Sequence, residues 1–410
     1  MRFALSALLL AVSACAQDHT TEAGEAAIDD PALECAPYSY APVHAAQASF
    51  PAIWQPVTSV PASDTVARAK FLAMNSSIPK IPPKGTLAGD FDAFSPTYSA
   101  TDPDCWWTDT KCVTPKLSGL KPDIANVPEP RTLGYGFDDG PNCSHNAFYD
   151  YLTEKKQKAT MFYIGSNVFD WPLQAQRAVA DGHEICVHTW SHRYMTAFPN
   201  EGAFGELYYT MQAIKLVTGV TPTCWRPPFG DVDDRIRYIA AQLGLETIVW
   251  GYDSNDWAVG FNGVTAQAVQ ANYDALMADA SAGKFNSSGA IILTHELNNF
   301  TMQTAMHNYP KLAAVFDHIV PVQVAQNKTQ PYVETNYTML DFASYVANRT
   351  GKSATSANSA SSSNSSSSSS SSHGSGAQKV GKAGAGALRV SMLAVAGASA
   401  GVLVGAALWA

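Results

Sequence analysis

An α/β fold is predicted: a distorted (β/α) barrel of about seven parallel strands, its active site at the strand C-terminal ends. Three observations predict it. Between Arg131 and Val324, seven short apolar runs alternate with amphipathic stretches; strands alternating with helices imply parallel pairing. Asp138, His188, Arg226, Asp253 and His295 each lie at or just after the end of such a run, where a barrel keeps its chemistry. The 410 residues are 46% hydrophobic and 10% aromatic, enough for the core of one large domain or two modest ones.

The chain opens like an export signal over residues 1–16. Arg2 gives a positive start, residues 4–12 are largely apolar, and Ala14-Cys15-Ala16 fits a small-residue cleavage site. Residues 17–130, rich in Pro and Ala with few periodic stretches, read as an N-terminal extension packed on the main domain through Trp54, Trp106 and Trp107. A partly disordered propeptide is the other reading of this segment.

The main domain spans 131–325. Strand-like runs occupy 133–137, 159–164, 184–189, 224–226, 247–252, 290–293 and 319–324, and helical patterns occupy 146–156, 172–180, 203–216, 234–243 and 266–282. Residues 326–351 complete the catalytic region. A stalk at 352–376, with unbroken serine over 365–372, has too little apolar surface to fold. Residues 377–410 complete a glycosylphosphatidylinositol signal: small residues Ser375-Gly376-Ala377, with attachment expected at Ser375, a polar spacer over 378–389, and an uncharged apolar tail over 390–410. A transmembrane helix is the alternative for that tail.

Removal of the signal leaves Cys35, Cys105, Cys112, Cys143, Cys186 and Cys224, an even set that reads as disulfides whose pairing stays open. Eight N-x-S/T sequons, at Asn75, Asn142, Asn286, Asn299, Asn327, Asn336, Asn348 and Asn364, favour a eukaryotic secretory route. A net charge of −9 argues against nucleic acid as partner.

Phe137-Asp138-Asp139-Gly140-Pro141 places two carboxylates where Gly-Pro breaks the strand. Neighbours inside a strand face opposite ways; at a break, one carboxylate can ligate a metal while the other serves as base. Ordinary turn chemistry is the bland alternative. His188 and His192, four apart, would lie on one face of a helical turn and grip one ion with Asp139. This sulfur-free set suits Zn²⁺ and tolerates Co²⁺; two surface histidines would look the same. Arg226, stiffened by Pro227-Pro228, would present its guanidinium to a carboxylate such as Asp138. His295 ends an apolar strand, and a partner such as Asp253 would fix its tautomer and favour its protonated form.

From about Arg131 to His295 these five segments, in order, resemble the polysaccharide deacetylases with the NodB homology domain, carbohydrate esterase family 4. The resemblance implies residue roles. Asp138 looks like the catalytic base, Asp139, His188 and His192 the metal ligands, and Arg226 the orienter of the base. Phe229 resembles the residue whose backbone N–H helps hold the oxyanion, Asp253 the tuner of the histidine, and His295 the general acid. Trp257 and Leu293 look like walls of the substrate pocket, Leu293 beside the acetyl methyl. Gly136 departs from the Thr or Ser usual before Phe-Asp-Asp, and Trp190-Ser191 fills the middle of the histidine motif.

Anchor, stalk and sequons point to a fungal cell wall, where the abundant N-acetylated polymer is chitin. The expected reaction is therefore metal-dependent hydrolysis of the N-acetyl groups of chitin or chito-oligosaccharides by a monomer held at plasma membrane and wall. The alternatives are another acetylated glycan, of xylan or peptidoglycan type, or a catalytically retired chitin-binding mannoprotein.

Overall fold

Thr160–Tyr163 and Ala290–His295 are buried at every position. Strands so covered on both faces belong at the centre of a parallel sheet, and the computed structural model, which describes residues 18–261 and 263–350, places them there. The predicted export signal, the stalk, the sequon at Asn364 and the anchor signal with Ser375 lie outside the described residues.

The strands are β1 (Thr132–Gly134), β2 (Gly136–Gly140), β3 (Thr160–Tyr163), β4 (Glu184–Val187), β5 (Cys224–Trp225), β6 (Glu246–Thr247), β7 (Tyr252–Asp253), β8 (Ala290–His295) and β9 (His318–Val320). All pair in parallel, in the order β6-β5-β4-β3-β2-β8-β1-β9, with β7 beside β8. The seven predicted runs thus become nine strands in a sheet that does not close. The first run divides at Tyr135, with β1 on β9 and β2 on β3. The fifth divides because its first half pairs with β5 and its second with β8, while Ile124 of the extension bridges Ile248 between them. The last run stops at Val320, because Pro321 caps a short helix over Val322–Ala325.

Helices cover the sheet with their apolar faces. Ala266–Ser281 starts at the capping hydroxyl of Thr265 and buries Val269, Tyr273, Leu276 and Ala280 at helical spacing. Asn200–Thr218 ends on Gly219, whose φ of 81° makes the left-handed cap that glycine accommodates. Asn299–Val315, a helix that the hydrophobic pattern does not reveal, contains Pro310 and starts in an Asn298/Thr301 capping box.

The extension is built into this body. Trp54 Nε1 donates to Asp170 at 2.9 Å, Trp106 Nε1 to the buried Asp231 at 2.9 Å, and the Trp107 N–H to the Val232 carbonyl at 3.0 Å. Disulfides join Cys35–Cys143, Cys105–Cys112 and Cys186–Cys224. The first ties the extension to the segment just after the paired aspartates, closing 108 residues of chain; a loop of that length is worth roughly 5 kcal/mol in a chain-entropy picture. Lys84 is buried between Asp104 of the extension and Asp233, which caps the helix Asp234–Gln242.

Six sequon asparagines, at positions 75, 286, 299, 327, 336 and 348, are exposed. Asn142 differs. It is half-buried, its Nδ2 donates to the Leu297 carbonyl at 2.7 Å and its Oδ1 accepts from Ser144, so the nitrogen a glycan would occupy is already engaged.

Removing one partner of a buried ion pair strands the other's charge, a cost of about 3–5 kcal/mol. Lys84→Ala, which strands Asp104 and Asp233, is therefore expected to lower unfolding stability by that amount. Urea denaturation of the oxidised protein measures it, and a wild-type midpoint would show that the Lys84 cluster contributes nothing to the docking of the extension.

Candidate active site and metal cradle

β2 carries both aspartates, and its own backbone solves the problem that strand neighbours face opposite ways. Asp139 sits at φ 73°, in the left-handed region, and the β2–β3 register shifts between Asp138 and Gly140. The turn is thus made by a bulge at Asp139 rather than by the Gly-Pro break, and it sends both carboxylates to one end of the sheet. Asn167 Nδ2 holds the bulge by donating to the Asp139 carbonyl at 2.6 Å.

His188 and His192 reach Asp139 from a loop and not from the expected helical turn. Thr189 and His192 both have positive φ, 64° and 54°, which bring the two rings to 5.0 Å. The loop keeps that shape through Glu206, a fully buried carboxylate on the helix Asn200–Thr218. Its oxygens accept from the N–H groups of Val57, Trp190 and Ser191 and from the Ser191 hydroxyl, at 2.7–2.9 Å. Trp190-Ser191, the unusual middle of the motif, is therefore what Glu206 grips.

His188 Nδ1 donates to the Arg226 carbonyl at 2.8 Å, which leaves Nε2 with its lone pair free. Nε2 of His188 and of His192 lie 3.5 and 3.1 Å from Asp139 Oδ1, yet that oxygen is buried without a hydrogen bond. Three lone-pair donors converging within 4.8 Å of one another fit a divalent cation. Burial works against ionising Asp139, but the two histidines hold its carboxyl well below the usual range. Among the described residues two other metal-ligating groups occur, and each contains a disulfide pair, Cys105–Cys112 or Cys186–Cys224.

Asp138 faces Arg226. The guanidinium is completely buried, donates to Asp138 Oδ1 at 2.7 Å and lies over the Phe162 ring at 3.9 Å. The departure at Gly136 follows from the neighbouring strand: a Cβ there would stand 2.8 Å from the Thr160 carbonyl and 3.1 Å from the Phe162 ring.

His295 is the strand partner of Asp138 across the β2–β8 ladder. Its Nδ1 bonds Asp256 Oδ1 at 2.6 Å, and its N–H donates to the other oxygen of Asp256 at 3.1 Å. The partner of His295 is therefore Asp256 and not Asp253. Asp253 instead accepts the Asn255 N–H at 2.8 Å, and the left-handed Asn255, φ 53°, brings Asp256 round to the ring. Although burial opposes it, Asp256 raises the His295 pKa to about 9, with smaller contributions from Asp139 and Asp138.

Phe229, also left-handed at φ 58°, stacks on Tyr194 at 4.1 Å and meets His192 edge-on at 4.8 Å. Trp257 is half-exposed in the turn Asp256–Ala258, and Leu293 is buried two positions before His295 on β8. Sequence reading also missed Glu296. It is buried, accepts the Asn142 N–H at 2.9 Å and the Tyr149 hydroxyl at 2.9 Å, and meets His145 Nδ1 at 2.6 Å. Its own N–H donates to the Asp138 carbonyl at 2.8 Å, fixing the chain on both sides of the aspartates. For Glu206 and Glu296, the available signal was a carboxylate inside an apolar context, which a core seldom tolerates without partners.

Residues 125–248 match the polysaccharide deacetylase family. Over 341 residues the chain is 54% identical to chitin deacetylase 2 of Cryptococcus neoformans var. grubii, covering 82% of this chain and 74% of that one. Over 334 residues it is 46% identical to the chitin deacetylase of Amylomyces rouxii, covering 80% and 77%.

Outer carboxylates that set the posture of metal ligands typically matter 10–100-fold in affinity. Glu206→Ala is expected to weaken divalent-metal binding by about that factor, read by competition with a fluorescent chelator. Unchanged affinity would mean that the histidine loop holds its shape without Glu206.

Proposed function

The chain belongs to the polysaccharide deacetylase family, and we propose that it hydrolyses the N-acetyl groups of N-acetylglucosamine units in chitin, yielding chitosan and acetate. The observation that carries the reading is the convergence, at one end of β2 and β8, of an arginine-held carboxylate, a three-ligand cradle and a carboxylate-paired histidine. Amide hydrolysis needs those three functions together: a base for water, stabilisation of the oxyanion, and an acid for a poor leaving group.

Asp139, His188 and His192 would hold one divalent ion, Zn²⁺ or Co²⁺, whose chemistry is to polarise a carbonyl and render water acidic. Asp138 takes the proton of the attacking water. Arg226 points that carboxylate through a charge-assisted bond. The Phe229 N–H supports the developing oxyanion, a donor of the kind commonly worth ~3 kcal/mol. Protonated His295 donates to the amide nitrogen as the C–N bond breaks, and Asp256 holds the ring for it. Trp257 and Leu293 bound the pocket for the sugar and the acetyl methyl. The export signal, stalk and anchor signal in the sequence support action at the plasma membrane and cell wall, with attachment at Ser375.

Acetate release from N-acetylglucosamine oligomers, assayed before and after chelation with Zn²⁺ or Co²⁺ returned, is the direct test. Release that stops and is restored is expected; acetylated xylan turned over in preference would overturn the substrate. Asp138→Asn should retain metal while turnover falls by about 10²–10⁴-fold, and undiminished turnover would remove Asp138 as the base.

The His295 pKa makes a signed prediction. A folded-state value raised to about 9 from the ordinary 6.5 contributes stability that is fully present below 6.5 and lost as pH rises through about 9. The proton-donating form follows the same limits, so activity should fall on the alkaline side. A bound dication would cancel the smaller share from Asp138 and Asp139 but leave that of Asp256. Asp256→Asn should therefore move the alkaline limb of the pH–rate profile toward lower pH. A limb that stays in place would assign it to another group.

A further inference from the structure

At the strand ends opposite the metal cradle lies a cavity of about 570 Å³, between the starts of β3 and β4 and the segment 331–349. That volume falls among small-molecule sites, roughly 300–1,000 Å³. Its lining includes Lys156, Lys158 and Arg349 but neither Asp nor Glu, although the whole chain carries −9. Lys158 is half-buried, and among the described residues its ammonium has no hydrogen-bond acceptor. Burial pulls it below the ordinary lysine range, and the carboxylate whose field reaches it, Asp181, already accepts from Arg177 at 3.3 Å. A cation left half-desolvated beside an open cavity is favourable once an anion enters.

The other walls are tyrosines, held in place before any ligand arrives. Tyr332 accepts the Ile185 N–H at 3.1 Å, and Tyr345 accepts the Lys158 N–H at 3.0 Å. Arg349 donates to the Ile319 carbonyl and to the Tyr309 hydroxyl, both at 2.8 Å. Tyr332 and Tyr345 are buried, and with the half-buried Tyr337 they give the cavity a fixed apolar wall against which a sugar ring can lie; fixed walls spare the cost of ordering them on binding. A neutral N-acetylated glycan has no use for the cations.

We propose that this cavity binds an anionic sugar, a hexuronate or a hexose phosphate, with Lys156 and Lys158 meeting its charge and the tyrosines its ring. The site is separate from the proposed deacetylase centre, which lies at the other ends of β3 and β4.

Calorimetric titration of the full chain with glucuronate, glucose 6-phosphate and glucose tests it. At low salt at least one of the two anions should bind about ten-fold more tightly than glucose, and which one does so identifies the source of the charge. Lys158→Glu should weaken that binding by about ten-fold or more, whereas Lys158→Arg should retain it. Acetate release from neutral oligomers should be the same in both variants. Equal binding of glucose and both anions, or undiminished anion binding by a folded Lys158→Glu protein, would overturn the proposal.

Discussion

The ion pair between Arg226 and Asp138 sets the terms for everything around it. A guanidinium with no solvent exposure is expensive, and the desolvation of two charges can exceed what their attraction returns. Such a pair persists only where the surroundings leave it no alternative. Phe162 occupies one face of the guanidinium, and the backbone of Arg226 is tied to Val187 on β4 through its own N–H and to His188 through its carbonyl. One residue therefore anchors the proposed base through its side chain and a metal-cradle histidine through its main chain. The spacing between base and cradle is fixed by the arginine's own covalent geometry.

Around that pair, three buried carboxylates serve as hubs that touch no proposed substrate atom. Glu206 gathers the amides of the histidine loop, Glu296 gathers the amide, imidazole and phenol that follow the paired aspartates, and Asp256 grips both the ring and the N–H of His295. Each neutralises the unsatisfied donors of an irregular backbone stretch, which is the condition for such a stretch to be buried at all. Four of the residues held this way or next to them have positive φ: Asp139, Thr189, His192 and Asn255. Such conformations cost of order 1–3 kcal/mol each and survive where packing over-determines them. The hubs provide that over-determination, so the irregularity of the site and the burial of these acids are one feature.

This explains which parts of the site were legible in the sequence. Asp138, Asp139, His188, Arg226 and His295 could be found because each follows an apolar run, and the parallel register that follows from such runs brings their ends together. The run pattern also sufficed for the α/β class, while the strand count was hidden. Splits at Tyr135 and near Trp250 depend on which neighbour each half meets, and one of those neighbours, Ile124, comes from outside the repeating pattern. The histidine spacing predicts a helical turn where the structure has a loop, because i, i+4 spacing is compatible with any tight turn and nothing local marks Thr189 as left-handed. Sequence position does not distinguish Asp256 from Asp253, because the two are three residues apart at the same strand end. The choice between them is made by the backbone at Asn255, a residue type that tolerates such a conformation without requiring it.

The extension changes what the family match can be taken to govern. The matched residues begin at 125, yet the wall beside the metal cradle depends on residues before that point. Tyr194 stacks on Phe229, and Phe229 meets His192. Behind Tyr194 stand Phe91, in edge contact at 5.4 Å, and Gly89, where even a single added carbon would come within 2.3 Å of the tyrosine ring. Lys84, whose N–H bonds the Thr196 carbonyl, locks that loop to the same stretch from the other side. The proposed base and acid therefore sit on the sheet, while His192 of the cradle and the Phe229–Tyr194 stack beside it are backed by the extension. The extension and the strand-bearing segment thus build one wall together, joined by the Cys35–Cys143 disulfide and the buried Lys84 cluster rather than by a shared strand order.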